Sequence, residues 1–123
     1  MPTMERGRVS LNSMKFYGYH GCLPQERVDG QPYFVDVDFF LPLEEAARQD
    51  ELAKTIDYGP VYEAVRQIVE ETRRNLIESV AYEVAEKLMG LYNPDRIAVR
   101  VRKPRPPVGG FVEHAEAEVV LTR

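Results

Sequence analysis

Apolar and polar residues alternate along four segments of the chain, which is the pattern of half-buried β-strands. The clearest segment is residues 35–41, where apolar side chains take the odd positions and Asp36 and Asp38 the even positions between them. The predicted strands run over about residues 9–19, 35–41, 97–102 and 115–121. Between the second and third strands, apolar residues recur at helical spacing, which predicts two amphipathic helices.

Particular residues mark where the two helices begin and end. Asp57 is a candidate N-cap for the first helix, which is predicted to end near Glu71. The second helix is predicted to start at Asn75 and to stop before Pro94, because proline cannot continue a helix. The remaining irregular segments are a positive-φ loop at Asp29–Gly30, a short helix or turn within Pro42–Asp50, and a proline-rich turn at Pro104–Gly110.

The element order ββααββ predicts an α+β fold, with an antiparallel four-stranded sheet and two helices on one face. Residues 1–8 are predicted to be a flexible lead, and residues 9–123 to be one domain. Phe34, Phe40 and Val120 place apolar side chains on the second face of the sheet. We therefore expect neighbouring subunits to cover that face and the sheet edges.

Composition narrows the classes of function. A formal net charge of −4 argues against a dedicated nucleic-acid or anionic-membrane binder, since such proteins usually carry a basic excess. One cysteine, Cys22, excludes an intramolecular disulfide framework and fits a reducing compartment. His20 and His114 alone would not complete a structural zinc site. With no apolar run of membrane-spanning length and no secretory signal, the expectation is a cytoplasmic protein.

Four short motifs, spread over almost the whole chain, resemble those of a known family. Each motif is weakly specific alone, but their order and spacing together are specific. They are Phe16-Tyr17-Gly18-Tyr19-His20-Gly21 with Glu26 and Gly30-Gln31; Ile56-Asp57-Tyr58-Gly59; Asn75-Leu76-Ile77-Glu78; and Val99-Arg100-Val101-Arg102-Lys103-Pro104 with Pro106-Pro107. On these residues the chain resembles dihydroneopterin aldolase, an enzyme family of folate biosynthesis.

The resemblance implies a tunnelling fold, in which ββααββ subunits join their sheets into a barrel and two rings stack into an octamer. It also implies retro-aldol cleavage of 7,8-dihydroneopterin into 6-hydroxymethyl-7,8-dihydropterin and glycolaldehyde. The C=N bond of the dihydropterin ring accepts the electrons of the broken bond, so neither a metal nor a cofactor is expected. The implied partners are a small pterin and further copies of the chain, with active sites between subunits.

Glu78 is the candidate pterin anchor. A carboxylate can accept two parallel hydrogen bonds from the 2-amino and N3–H edge of a pterin, and the backbone of Ile77 would add contacts. The competing interpretation is a capping box, because Asn75 and Glu78 have the spacing of a helix start. The residues alone favour capping, whereas the resemblance favours the pterin ligand.

Lys103 is the candidate general base, acting in the family with an ordered water. It ends a strand just before a proline-rich turn. Arg100 and Arg102 are predicted to favour its neutral amine by like-charge repulsion. The competing interpretation is a solvated lysine at a strand end, as most lysines are.

Tyr58 and Glu26 complete the implied catalytic set. Tyr58 would reach across from an adjacent subunit to protonate the intermediate, while backbone around Ile56 contacts the pterin. Glu26, in the loop after the first strand, would bind the substrate hydroxyls and the catalytic water. The competing interpretations are that Tyr58 only packs beside the start of the helix and that Glu26 is a solvated acid in a loop. Tyr19 and His20 are expected to shape this region, and Cys22 to lie near it without a catalytic role.

Two alternative functions are also compatible with the sequence. The first is an epimerase acting on dihydroneopterin triphosphate, for which Arg100, Arg102 and Arg105 are available as phosphate ligands. The second is a non-catalytic pterin-binding ring, which would retain Glu78 but not both Lys103 and Tyr58. Zinc-dependent pterin enzymes of the same fold need several His or Cys ligands, which two histidines do not supply. A 2′-epimerase side activity would accompany the aldolase.

Overall fold

A four-stranded antiparallel sheet carries two long helices on one face. The computed structural model describes residues 2–123, and the strands lie in the order β1-β2-β3-β4. The strands are β1 (Arg8–Gly18), β2 (Gln31–Phe40), β3 (Arg96–Lys103) and β4 (Ala115–Thr122); the helices are α1 (Pro24–Asp29), α2 (Glu44–Gln49), α3 (Tyr58–Glu71) and α4 (Ile77–Tyr92), with a 3₁₀ turn at Leu52–Lys54. The predicted α+β class and the order of the long elements are confirmed.

The core lies between the sheet and the helices α3 and α4. Alternation places Val35, Val37 and Phe39 of β2 fully inside it, because β2 is a central strand. Helix α4 packs on β3 and β4, and α3 packs on β1 and α4. Hydrophobic burial on this one face orients β3, and so decides which side each of its residues faces.

The opposite sheet face carries a ladder of ion pairs. Arg100 binds Asp38 at 2.9 Å, and Arg102 binds Asp36 at 2.5 Å. Burial raises the pKa of the Asp36 carboxyl, but hydrogen bonds from Arg102 and from the Ser13 amide outweigh it and hold that pKa at about 2. The two arginines are thus neutralised by partners on their own face of the sheet.

Helix boundaries differ from the sequence prediction in two places. The long loop after β1 contains the helix α1, whose short length gave no periodic signal. Helix α4 begins at Ile77 with Leu76 as N-cap, not at Asn75. Asp57 is confirmed as the N-cap of α3, where its carboxylate accepts from the Gly59 amide at 3.4 Å. Gly30 has the predicted positive φ, at 64°.

In the described part of the chain, the outer edges of β1 and β4 pair with no further strand. On the second face Phe34 and Phe40 are half-buried and Val120 is 48% exposed. Coverage of these surfaces by neighbouring subunits stays a prediction, as does a flexible lead over residues 1–8. No helix within residues 2–123 is long and apolar enough to cross a membrane.

Candidate active site

An open pocket of about 440 Å³ lies where the end of β3 meets α1 and the start of α4. It brings together Glu26, Ile77, Glu78 and Lys103, which belong to three separate sequence motifs. The other lining residues are Cys22, Leu23, Asn75, Leu76, Pro106, Pro107 and Ala115. The pocket therefore combines charged groups with apolar walls.

Lys103 and Glu26 form an ion pair at this pocket. The Lys103 Nζ lies 2.7 Å from Glu26 Oε2, and each side chain is 10% exposed. Lys103 is at an odd position of β3 and therefore shares its face with the core residues Val99 and Val101, whereas Arg100 and Arg102 face the other way. The prediction that the two arginines repel Lys103 is wrong, because an anion is the group that faces it.

Glu26 is held in place by the turn that precedes it. It lies in α1, not in a loop as predicted, and its Oε1 accepts from the Leu23 amide at 3.4 Å. Gly21 has a φ of +141°, and a Cβ there would collide with the Glu26 carboxylate. A residue without a side chain is thus required for the carboxylate to reach Lys103.

Gln31 fixes the loop that follows Lys103. It is 5% exposed, its side chain donates to the Arg105 carbonyl at 3.1 Å, and it accepts from the Arg105 amide at 2.8 Å. Both backbone groups of Arg105 are therefore held, which orients the neighbouring Pro106 and Pro107 as a pocket wall. The sequence placed Gln31 in a motif without indicating this role.

Glu78 lies in the first turn of α4 and is exposed to the pocket. The capping interpretation is wrong, since Leu76 is the N-cap and no side chain caps this helix. Asn75 instead accepts hydrogen bonds from Arg73 and Arg27. The carboxylate of Glu78 makes no hydrogen bond or ion pair within residues 2–123, and it is available to a ligand.

Tyr33 is a buried group beside the ion pair. Its hydroxyl donates to the His20 carbonyl at 2.6 Å. Burial, together with the nearby Glu26 carboxylate, raises the pKa of Tyr33 to about 12. Tyr33 therefore stays protonated and serves as a fixed hydrogen-bond donor at neutral pH.

Four further residues that were predicted at or near the site lie outside this pocket in a single chain: Tyr58, Ile56, Tyr19 and His20. Tyr58 is 60% exposed at the start of α3, and Ile56 is buried in the core. Tyr19 is 42% exposed, and His20 is fully buried. Cys22 lines the pocket, as expected from its position in the sequence.

Taken together, these groups define a class of protein. A buried lysine–glutamate pair can hold and move a proton, and a free carboxylate on the same pocket can orient a ligand that presents paired N–H donors. No group of three His, Cys, Asp or Glu side chains within residues 2–123 is arranged to hold a metal ion. The residues of this pocket are of the kinds that an enzyme uses for acid–base chemistry on a small molecule.

Comparisons with known proteins identify the family. The dihydroneopterin aldolase (FolB) family model matches residues 9–120. The chain is 38% identical over 117 residues to the dihydroneopterin aldolase of Streptococcus pyogenes serotype M6, covering 94% of this chain and 98% of that protein. It is also 38% identical over 113 residues to the Staphylococcus epidermidis enzyme, covering 91% and 93%.

Solved structures share the fold. The FolB protein of Vibrio cholerae matches with a TM-score of 0.88 at 23% identity, covering 98% of this chain and 100% of that one. The E. coli dihydroneopterin aldolase, crystallised with neopterin, matches with a TM-score of 0.84 at 23% identity, covering 94% and 98%. The chain belongs to the dihydroneopterin aldolase family, whose enzymes are aldehyde-lyases, and the resemblance seen in its motifs is confirmed.

Proposed function

We propose that this chain cleaves 7,8-dihydroneopterin into 6-hydroxymethyl-7,8-dihydropterin and glycolaldehyde, using acid–base groups of the protein. The observation that carries the proposal is one pocket that holds the Lys103–Glu26 pair and the free Glu78 carboxylate. The pair supplies proton transfer, and Glu78 supplies ligand orientation. The E. coli dihydroneopterin aldolase was crystallised with neopterin, which supports a pterin as the ligand.

In the proposed reaction the Lys103–Glu26 pair accepts the proton of the 2′-hydroxyl, directly or through one water. The C1′–C2′ bond then breaks, and C2′ becomes the aldehyde carbon of glycolaldehyde. The bonding electrons form a C1′=C6 double bond and the π electrons of C6=N5 move to N5, which gives an enamine-type intermediate. Protonation at C1′ gives 6-hydroxymethyl-7,8-dihydropterin. A carboxylate next to the ammonium lets protons pass within the pair without a net change of charge in the pocket.

Glu78 is proposed to bind the 2-amino and N3–H edge of the pterin. Ile77 and Glu78 are the first residues of α4, where backbone N–H groups lack partners within the helix. These amides can donate to the ring while the carboxylate accepts from it. The apolar walls Leu76 and Pro107 can contact the ring faces.

Tyr58 and Ile56 are proposed to complete the site from a second subunit. Tyr58 is exposed and lies outside the pocket of its own chain, so it is free to serve a neighbour. The open edges of β1 and β4 give the means for subunits to join their sheets. In the assembled barrel, with two rings forming an octamer, the Tyr58 hydroxyl would donate the proton to C1′. The proton held by the Lys103–Glu26 pair would then return through water to the Tyr58 oxygen, which restores the enzyme.

A 2′-epimerase side activity is part of the proposal, because the intermediate can add back to either face of the glycolaldehyde carbonyl and so form either configuration at C2′. An enzyme specific for the triphosphate is disfavoured by one observation. Arg100 and Arg102, two of the three arginines available for phosphate, are bound to Asp36 and Asp38 on the opposite sheet face. Arg105 alone does not form a phosphate site.

The anchoring role is tested by calorimetric binding of neopterin, which presents the pterin edge. Glu78→Gln should weaken binding about 100-fold, because the amide retains one acceptor and turns an N–H donor toward the pterin. Glu86→Gln is the matched control, since Glu86 also lies exposed on α4 but outside this pocket, and its affinity should stay within threefold of wild type. An unchanged dissociation constant for Glu78→Gln would refute the anchor.

A further inference from the structure

His20 is a buried titratable side chain that the proposed chemistry does not use. It is 0% exposed. Its Nε2 lies 2.9 Å from the Val69 carbonyl oxygen, and its Nδ1 lies 3.1 Å from the Arg74 amide nitrogen. Because the amide can only donate and the carbonyl can only accept, the network assigns the ring proton to Nε2 and leaves Nδ1 as the acceptor.

Arg74 is held at both of its backbone groups by the turn that contains His20. Its N–H donates to His20 Nδ1, and its carbonyl accepts from the Gly21 amide at 3.0 Å. Two residues further on, Leu76 caps α4 and begins the pocket wall that continues through Ile77 and Glu78. The imidazole is thus one of the links between the turn and the segment that leads into the proposed pterin anchor, and it is the one that depends on a side-chain acceptor.

The imidazole itself is fixed from several sides. A Cβ at Gly18 would lie 2.9 Å from His20 Cδ2 and 3.0 Å from Nε2, so the strand backbone packs directly against the ring. The Tyr33 ring meets it edge-on with centroids 5.1 Å apart, and the Tyr33 hydroxyl holds the His20 carbonyl. A side chain locked in this way transmits its position to whatever it binds.

We propose that His20 is a positioning residue whose neutral ring holds the segment 73–76, and through it Leu76, Ile77 and Glu78, in the geometry that binds the pterin. This inference rests on the proposed function. It assigns His20 no contact with the substrate. We therefore expect pterin affinity to depend strongly on the hydrogen bond that Nδ1 accepts from Arg74, and much less on the one that Nε2 donates to Val69.

Protonation of His20 would oppose this role, because a proton on Nδ1 would face the Arg74 N–H. The charged groups that act on the ring are the cations Arg73, Arg74 and Lys103. The titratable Tyr33 packs edge-on against it, and the Glu26 carboxylate is paired with Lys103. Burial lowers the pKa of His20 below 6.5, the Val69 hydrogen bond partly opposes this, and the three cations lower it further. Pterin affinity should therefore be constant near neutral pH and should fall in acid, as His20 gains its proton.

Two substitutions separate the ring nitrogens. His20→Asn places an oxygen near the Nδ1 position and retains the acceptor for Arg74, whereas His20→Gln places an amide nitrogen near Nε2 and loses that acceptor. In the free protein, hydrogen exchange of the Arg74 amide should accelerate at least tenfold in His20→Gln and stay within threefold of wild type in His20→Asn. For neopterin, the dissociation constant should rise about tenfold in His20→Gln and remain within threefold in His20→Asn.

Ile97→Val is the control for a general loss of stability, since Ile97 lies in the core at the other end of β3 from Lys103. It should change neither the Arg74 exchange nor the affinity. Equal affinities of the two His20 variants, with normal binding by wild type, would overturn this inference alone. If wild type does not bind neopterin, the proposed function and this inference are both overturned. The difference in Arg74 amide exchange between the two His20 variants would still show whether Nδ1 holds Arg74.

A measurement on the wild-type protein covers the case in which neither variant folds. The chain has two histidines, so NMR titration resolves His20. Saturating neopterin should lower the pH at which His20 protonates, because binding and deprotonation favour the same state. A His20 titration that neopterin does not move would overturn the inference.

Discussion

Lys103→Met tests the ion pair in the pocket most sharply. The substitution retains the length of the side chain and removes its charge, which leaves Glu26 without its partner. Both side chains are 10% exposed, so the carboxylate loses its ammonium in a largely dehydrated position. Leaving one member of a buried pair unpaired typically costs 3–5 kcal/mol.

The structure sets the expected magnitude lower than that range. The pair borders an open pocket of about 440 Å³, so water can approach the freed carboxylate. We expect a loss of about 2 kcal/mol, which lowers the melting temperature by about 8 °C for a domain of this size. Proton transfer by a positioned group contributes 10²–10⁴-fold, so kcat/KM should fall about 10³-fold while neopterin affinity stays within threefold.

The assays are thermal unfolding at one fixed subunit concentration, turnover of 7,8-dihydroneopterin, and calorimetric binding of neopterin. Lys54→Met is the matched control, since Lys54 pairs with Glu45 at 3.2 Å in an exposed position and its loss should cost under about 1 kcal/mol. Combining Lys103→Met with Glu26→Gln should cost about 1.5 kcal/mol less than the sum of the single changes. Full turnover by Lys103→Met, or additive stability changes, would refute the account of the pair.

The remaining predictions concern the turn at Gly21, the sheet face opposite the helices, and Cys22 at the pocket. Gly21→Ala should displace the Glu26 carboxylate and lower kcat/KM about 10–100-fold. Gly90→Ala is the control and should leave activity unchanged, because a Cβ there meets nothing within 4 Å. Equal activities of the two variants would contradict the predicted collision at Gly21. The folded-state pKa of Asp36 is about 2, below its ordinary 3.8. The ionised carboxylate therefore contributes about 2 kcal/mol of stability above pH 3.8, and this is lost as the pH falls towards 2. Asp36→Asn should flatten that part of the acid-unfolding profile, and an unaltered profile would show that other groups cause the loss. Cys22, exposed at the pocket, should react with iodoacetamide several-fold more slowly with neopterin bound, and an unchanged rate would place the ligand elsewhere.

The strands and the two long helices were predictable because each buries one face, and burial imposes a period of two or 3.6 on the sequence. Helix α1 was not predictable in this way. Its six residues bury no side chain completely, so tertiary contacts rather than periodicity determine it. The same holds for the start of α4, where the backbone contacts of Arg74 and Leu76 outweigh the capping preference of Asn75.

The candidate site was predictable as a set of residues, but its electrostatics were not. Sequence proximity placed Arg100 and Arg102 beside Lys103, although strand alternation turns them to the other face. The partner of Lys103 is Glu26, which is 77 positions away in the chain. The roles of Gly21, Gln31 and His20 depend on close contacts of backbone with side chains, for which a single sequence carries no periodic signal.

Analysis of the reaction products shows whether this chain cleaves 7,8-dihydroneopterin. The purified protein would be incubated with 7,8-dihydroneopterin without oxygen and with a chelator present, and both products followed by chromatography. We expect equal amounts of 6-hydroxymethyl-7,8-dihydropterin and glycolaldehyde, formed at the wild-type rate by Lys54→Met and about 10³-fold more slowly by Lys103→Met. Intact 7,8-dihydroneopterin after incubation with wild type, or the same rate with Lys103→Met, would contradict this expectation.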